Sequence, residues 1–194
     1  MTEDQLRNDF ALLQKLYRED PKKHRIRYAI GCVCVAPIQP EDAEELYRQA
    51  LTIFTDLEAS GADFTAAWLA SAHRELGILL SDRGDDENAE AHLRQALARY
   101  RQPMGHPAHR RVNKEKLAEC AETLGIFLLT RGRFREGETL VLEALEIHEN
   151  LMESKPDPHR REAREVCAAL AEVYRSWDMT EEASIMAAKA AKLQ

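Results

Sequence analysis

The chain has 194 residues, of which 44% are hydrophobic and 31% charged, with 8 Gly and 7 Pro; that composition suits a water-soluble, mostly helical protein and argues against disorder. Its formal charge of −7 leaves no excess of Lys and Arg to neutralise phosphates, so nucleic acid is not an expected partner. No run approaches the roughly 18 to 20 apolar residues of a membrane span, and the charged opening MTEDQLRNDF lacks the apolar stretch of a signal peptide, so a cytoplasmic location is expected.

In chain order, the pattern predicts a leader helix over 3–19 and then four helix pairs: 21–36 with 40–59, 63–83 with 86–102, 107–131 with 134–153, and 158–177 with 180–193. In the second helix of the first pair, Ala43, Leu46, Tyr47, Ala50, Leu51, Phe54 and Leu57 fall at the spacing that makes one apolar face. Pro40 is placed as its first helical residue, with Glu41, Asp42, Glu44 and Glu45 suited to the positive end of the helix dipole. Asp85 or Asp86 predicts a cap for the fifth helix and Thr180 one for the last. Gly84 and Gly132 predict left-handed turns at the ends of first helices. No strand pattern is present. One domain is expected over 1–194, built of repeats at about 21–59, 63–102, 107–153 and 158–193.

The helix pairs are copies of one unit. Segments 30–51, 76–97, 124–145 and 170–191 align without a gap, LGILLSDRG at 76–84 answering LGIFLLTRG at 124–132. A small residue recurs as Gly31, Gly77, Gly125 and Ala171, in steps of 46, 48 and 46. Others recur as Ala43, Ala89, Gly137 and Ala183, and as Ala50, Ala96, Ala144 and Ala190. Fixed-period self-similarity is the signature of a repeat architecture.

Leu76, Gly77, Leu80, Ala89, Leu93 and Ala96, and then Leu124, Gly125, Leu128, Gly137, Val141 and Ala144, resemble the tetratricopeptide repeat family. Ile30, Gly31, Cys34, Ala43, Tyr47 and Ala50 also fit, whereas Leu170, Ala171, Tyr174, Ala183, Ala187 and Ala190 form a degenerate copy. The steps exceed the usual period of about 34 residues, and Arg101 and Glu149 stand where a closing proline often falls. The extra residues must lengthen both helices around ASGAD (59–63), QPMGHP (102–107) and ESKPDP (153–158), which is more similar to the long-helix variety of kinesin light chains. The resemblance implies an all-α, right-handed α-solenoid of about four helix pairs with an N-terminal leader helix.

It also implies a concave groove lined by the first helices, where a partner peptide or helix binds. Carried onto this chain, the groove positions are Arg25, Tyr28, Cys32 and Val35; Ser71, Arg74, Ile78, Ser81 and Asp82; Glu119, Glu122, Ile126 and Leu129; and Glu165, Ala168, Glu172 and Arg175. That groove would be basic at its N-terminal end and acidic toward its C-terminal end, so a partner should present acid to the first half and base to the second. Tyr28 and Cys32 replace the Lys and Asn that family members use to clamp a chaperone's terminal carboxylate, which disfavours that role.

PKKHRIR (21–27), PAHRRVN (107–113) and PHRREAR (158–164) each set His-Arg after a proline, which would suit phosphate, a metal or a proton signal. The registers of His24, His109 and His159 relative to the repeated small residue differ, however, so they are expected to be separate, solvated or salt-bridged turn residues, offset by acids such as Glu146 or Glu153. Cys32 and Cys34, two apart on a helix, point away from each other and do not converge on one ion; with Cys120 and Cys167 they read as plain thiols. There is no glycine-rich phosphate loop, Gly-x-Ser-x-Gly or His-Glu-x-x-His, so no enzyme, cofactor or metal is expected. The last helix lacks a polar capping helix, which predicts exposure of Ile185 and Met186 and a possible homo-oligomer through that helix. The expected function is a protein-binding adaptor; alternatives are a self-assembling structural protein and a regulator that senses a peptide or anionic ligand.

Overall fold

A computed structural model of the chain describes residues 2–62, 65–102, 110–153 and 156–193. Among them are nine α-helices, one 3-10 turn and no strand. The chain divides into two compact units, Met1–Gly105 and His106–Gln194. The N-terminal unit holds α1 (Glu3–Glu19), α2 (Pro21–Val35), a 3-10 turn (Ala36–Ile38), α3 (Ala43–Ala59), α4 (Ala66–Asp82) and α5 (Asp86–Tyr100). The C-terminal unit holds α6 (Arg110–Thr130), α7 (Phe134–Met152), α8 (Pro156–Ser176) and α9 (Thr180–Lys192). Within each unit every helix packs on the next in sequence. This is an all-α repeat fold.

The helix starts are written into local chemistry. Thr2 and Gln5 form a capping box on α1: the Gln5 N–H donates to Thr2 Oγ1 (3.2 Å) and the Thr2 N–H to Gln5 Oε1 (2.9 Å). Asp20 accepts from the Lys23 N–H at 3.1 Å and Pro21 opens α2. Asp85 caps α5, and Gly84 and Gly132 take φ of +80° and +78°, the left-handed turns expected of them. Two starts differ from expectation. Pro40 lies in a turn and α3 begins at Ala43, because Pro37 and Pro40 lack the N–H groups that would extend either helix across the junction. That junction is tied instead by arginines: Arg7 donates to the Ile38 carbonyl (2.8 Å) and Arg83 to the Pro40 carbonyl (3.4 Å). Thr180 is the first helical residue of α9, with Met179 at the cap and no side-chain capping bond.

The repeated small residues set how closely paired helices approach. A Cβ added to Gly77 would lie 2.8 Å from Leu93 Cγ on α5, and one added to Gly125 would lie 2.6 Å from Val141 Cγ2 and 2.9 Å from the Gly137 carbonyl on α7. Gly31, aligned with them in sequence, does something else: it faces α1, where an added Cβ would meet the Phe10 and Leu13 side chains at 3.0 and 3.2 Å. Across successive pairs, Phe54 of α3 stacks on Trp68 of α4, and Phe134 of α7 meets the edge of Trp177, which follows α8, at 4.0 Å.

One polar pair is enclosed in the N-terminal unit. His73 of α4 and His92 of α5 bring their Nδ1 atoms to 2.8 Å, a contact in which one ring donates and the other accepts, so at least one is neutral. The His73 pKa is lowered from 6.5 to about 4, first by burial and then by repulsion from His92 and Arg99, against the attraction of Glu58. The unfolded chain therefore takes up this proton at higher pH than the folded one. The contribution to stability is complete above the unfolded value and is lost as pH falls from 6.5 toward 4. At about 1.4 kcal/mol per pH unit the loss is on the order of 3 kcal/mol.

Two outcomes are expected. Urea unfolding on either side of that pH window should show the acid loss of stability, and His73→Gln should flatten it; an unchanged slope would assign the sensitivity to other histidines. Gly125→Ala should destabilise by about 1–3 kcal/mol, since α7 backbone must move. Gly31→Ala should be near neutral, because side chains can yield and Ala favours the helix by about 1 kcal/mol.

Candidate functional site

Each first helix offers the expected stripe at spacings of three, four and three residues, the repeat that keeps positions on one helix face. The four stripes have different fates. On α2, Arg25 is half-buried, and Tyr28, Cys32 and Val35 are buried. α1 is the cause: the Tyr28 ring stacks 5.7 Å from Phe10 and 4.2 Å from Tyr17. Its O–H donates to Gln49 Oε1 on α3 at 2.6 Å. Cys32 is 0% exposed, and burial pushes its thiol up to about 12. The placement of Cys32 and Val35 in an open groove is thus corrected: both are 0% exposed, on a helix that α1 covers at Tyr28 and Gly31. What stays open is a cavity of ≈ 410 Å³ between α1, α2 and α3, lined by Tyr17, Arg18, Tyr28, Gln49 and Ile53 among others.

On α4 the stripe is accessible in part. Ser71, Arg74, Ile78 and Ser81 are half-buried and Asp82 is exposed, with Arg74 3.4 Å from Glu75. On α6, Glu119 and Glu122 are half-buried, and Glu119 pairs with Lys116 at 2.8 Å. Ile126 is 39% exposed, an apolar residue held at the surface between acids. Leu129 is 6% exposed and belongs to the core of the C-terminal unit, a second correction. Its cause is Gly137 on α7: a Cβ there would lie 2.7 Å from Leu129 Cγ, so Leu129 fills the space that the missing side chain leaves.

On α8, Glu165, Ala168, Glu172 and Arg175 are all exposed. Glu172 and Arg175 pair with each other. The same residues border a cavity of ≈ 330 Å³ between α8 and α9, floored by Ala171, Ala187 and Ala190. The alanines that mark the degenerate copy thus leave a crevice with charged walls. α9 exposes Ile185, at 54%, whereas Met186 packs against the core.

The histidine-arginine recurrence resolves unevenly. His24 is half-buried and His109 lies outside the described residues. His159 is 2% exposed, so it is not a solvated turn residue, and its acidic neighbours are Glu115 and Glu162 instead of Glu146 or Glu153. His148 of α7, which no sequence motif singled out, lies beside it with ring centroids 5.8 Å apart. The available signal was an imidazole at a core position of an amphipathic helix, which sequence alone does not separate from an ordinary buried histidine. The thiols behave as expected, with Cys32, Cys120 and Cys167 buried, Cys34 exposed and none in a disulfide.

The geometry can be set beside known proteins. The tetratricopeptide repeat family model matches residues 69–110 and 117–159, the second and third units of the internal alignment. No curated protein matches the chain in sequence at a significant level. Among solved structures, a putative kinesin light chain with nearly identical TPR-like repeats from Podosopora anserina superposes with a TM-score of 0.59 at 18% identity, over 98% of this chain and 88% of that one. BtubC (BKLC) from P. vanneervenii gives 0.57 at 16% identity, over 98% and 89%. MamA gives 0.54 at 16%, over 100% and 94%. At these identities the likeness is one of fold.

The covering of α2 by α1 is open to chemical test. Alkylation of the native chain followed by mass spectrometry should modify Cys34 and spare Cys32. Phe10→Ala, expected to cost about 3–5 kcal/mol, should make Cys32 reactive while Cys120 and Cys167 stay protected. Equal labelling of Cys32 in the wild type would refute the covering.

Proposed function

Since the chain is a tetratricopeptide-repeat protein, and such repeats generally mediate protein–protein interactions, we propose that it is a non-enzymatic adaptor that binds a segment of another protein along its first helices. The observation that supports this reading is the recurrence of one stripe, in one register, that apart from Leu129 is exposed or half-exposed on α4, α6 and α8. A solvated face needs no apolar residue, yet Ile78 shares the stripe of Arg74 on α4 and, in the other unit, Ile126 shares that of Glu119 and Glu122 on α6. A ring of charge around a small apolar contact is the anatomy of a modest protein interface.

The binding stretch in this reading begins at α4, because the α2 face is occupied by α1. On α6 and α8, Glu119, Glu122, Glu165 and Glu172 outnumber Arg175, so the partner segment for the C-terminal unit is basic with at least one apolar side chain to meet Ile126. No helix among the described residues is long and apolar enough to cross a membrane, and four cysteines in no disulfide suit the reducing cytoplasm in which we place the adaptor. A second reading, self-association, is favoured by one observation, the exposure of Ile185 on α9.

Cross-linking of the chain to partners from its own cells, with the linked peptides identified, should place contacts on α4, α6 and α8. Glu119→Lys with Glu122→Lys, and separately Arg74→Glu, should weaken the identified partner at least tenfold without loss of helicity, and Arg135→Glu on exposed α7 surface should not. Full binding by both stripe variants would remove the adaptor reading. Light scattering of Ile185→Asp beside the wild type tests the second, which requires an oligomer that the substitution dissolves.

A further inference from the structure

We propose that α6, α7 and α8 build a zinc-type divalent metal site whose ligands are His148, His159 and Glu162. The three side chains place one ligand atom each within 4.8 Å of one another. They come from two helices that belong to different repeats, His148 from α7 and His159 and Glu162 from α8.

Burial makes the cluster unusual. His148 is 1% exposed and His159 is 2% exposed, and none of their four ring nitrogens has a hydrogen-bond partner. A buried imidazole without partners forfeits its hydration with nothing in return, and natural cores rarely keep one. Two of them face each other here, with rings 5.8 Å apart, beside a carboxylate.

The distances favour an ion over direct bonding. Glu162 Oε2 is 3.3 Å from His148 Nδ1 and 3.6 Å from His159 Nδ1. Charge-assisted hydrogen bonds to a carboxylate close to about 2.7–2.9 Å, so these contacts are too long for that. Ligands held at about 2.0–2.1 Å around a tetrahedral zinc are separated from one another by roughly 3.3 Å; the two spacings to Glu162 are near that edge, and all three ligand atoms lie within 4.8 Å. Two imidazoles and one carboxylate are also a donor set that zinc commonly takes.

The surroundings prepare His159 for this role. Its other ring nitrogen, Nε2, lies 3.4 Å from Glu115 Oε1 on α6, a carboxylate placed to orient the ring once Nδ1 binds a metal. Arg111 lies 3.5 Å from the same Glu115 oxygen. The side chains of Glu162 and Glu115 are 34% and 26% exposed, which gives an ion a way in from solvent. Arg161 approaches only the second oxygen of Glu162, Oε1, at 3.8 Å. A bound ion would tie the third repeat to the fourth, so occupancy would set how firmly α7 and α8 hold together.

The test uses the full chain after chelation and dialysis, titrated with zinc chloride by calorimetry and with cobalt chloride by visible absorption. One equivalent should bind, cobalt should show the intense bands of tetrahedral coordination, and zinc should raise the melting temperature. Glu162→Gln, at a partly exposed position where folding is not at risk, should weaken binding more than tenfold and abolish the thermal shift. Glu115→Gln should weaken it about 10–100-fold, as loss of an orienting carboxylate does. Cys34→Ser and His24→Ala should change nothing. A folded wild type that binds no equivalent, or binding that survives Glu162→Gln or vanishes with Cys34→Ser, would overturn the proposal.

Discussion

Close approach of two helices at a position without a side chain is the constraint on which this fold depends. At Gly125 the carbonyl of Gly137 and the Val141 side chain stand where a Cβ would be, and at Gly77 Leu93 does the same. Two glycines face each other in the third pair, since a Cβ at Gly137 would in turn lie 2.7 Å from the Gly125 carbonyl. Such a crossing brings large residues on either side, Leu76 and Leu80 or Leu124 and Leu128, into complete burial. Each fully buried leucine contributes about 1.5–3 kcal/mol, so a small interhelical distance is converted into most of the hairpin's stability. The turns follow from it, because Gly84 and Gly132 must reverse the chain within a few residues to keep the crossing in register.

That constraint explains why the fold was legible in the sequence. A glycine inside a helix costs about 1 kcal/mol relative to alanine, so its return at a fixed interval in an otherwise apolar run signals packing. What the pattern did not disclose is which neighbour the glycine faces. Gly31 shares the register of Gly77 and Gly125 but is met by Phe10 and Leu13 of α1, because the leader helix has its own amphipathic face to bury and α2 is the surface available. Periodicity reports that a face is small; it does not report the identity of the partner helix.

The same limit governs the candidate interaction surface. The family resemblance assigned one stripe to every first helix, and for Ser71, Arg74, Ile78, Glu122, Ile126, Glu172 and Arg175 the side chains are at least partly accessible. It does not hold at Cys32 and Val35, which are buried, or at Leu129, where the absent side chain of Gly137 draws it inward. Both failures are tertiary. Neither the covering by α1 nor the vacancy opposite Leu129 is local to the helix whose pattern was being read.

The two buried imidazole pairs show how a repeat scaffold takes on chemistry that its repeat does not encode. His73 and His92 lie within one helix pair, α4 and α5, and satisfy each other by an Nδ1-to-Nδ1 contact of 2.8 Å. The lowered His73 pKa makes an acid limit on stability the expected effect of this pair. His148 and His159 lie between pairs, on α7 and α8, with no such contact and with two carboxylates, Glu162 and Glu115, directed at the rings. The junction between pairs is also where the inter-repeat segments lengthen relative to the usual unit. The glycine crossing therefore secures the second and third hairpins by themselves, and the relation between hairpins is left to groups that vary from one junction to the next: Arg83 on Glu44 between α3 and α4, and Tyr174 on Glu138 together with the histidine pair between α7 and α8.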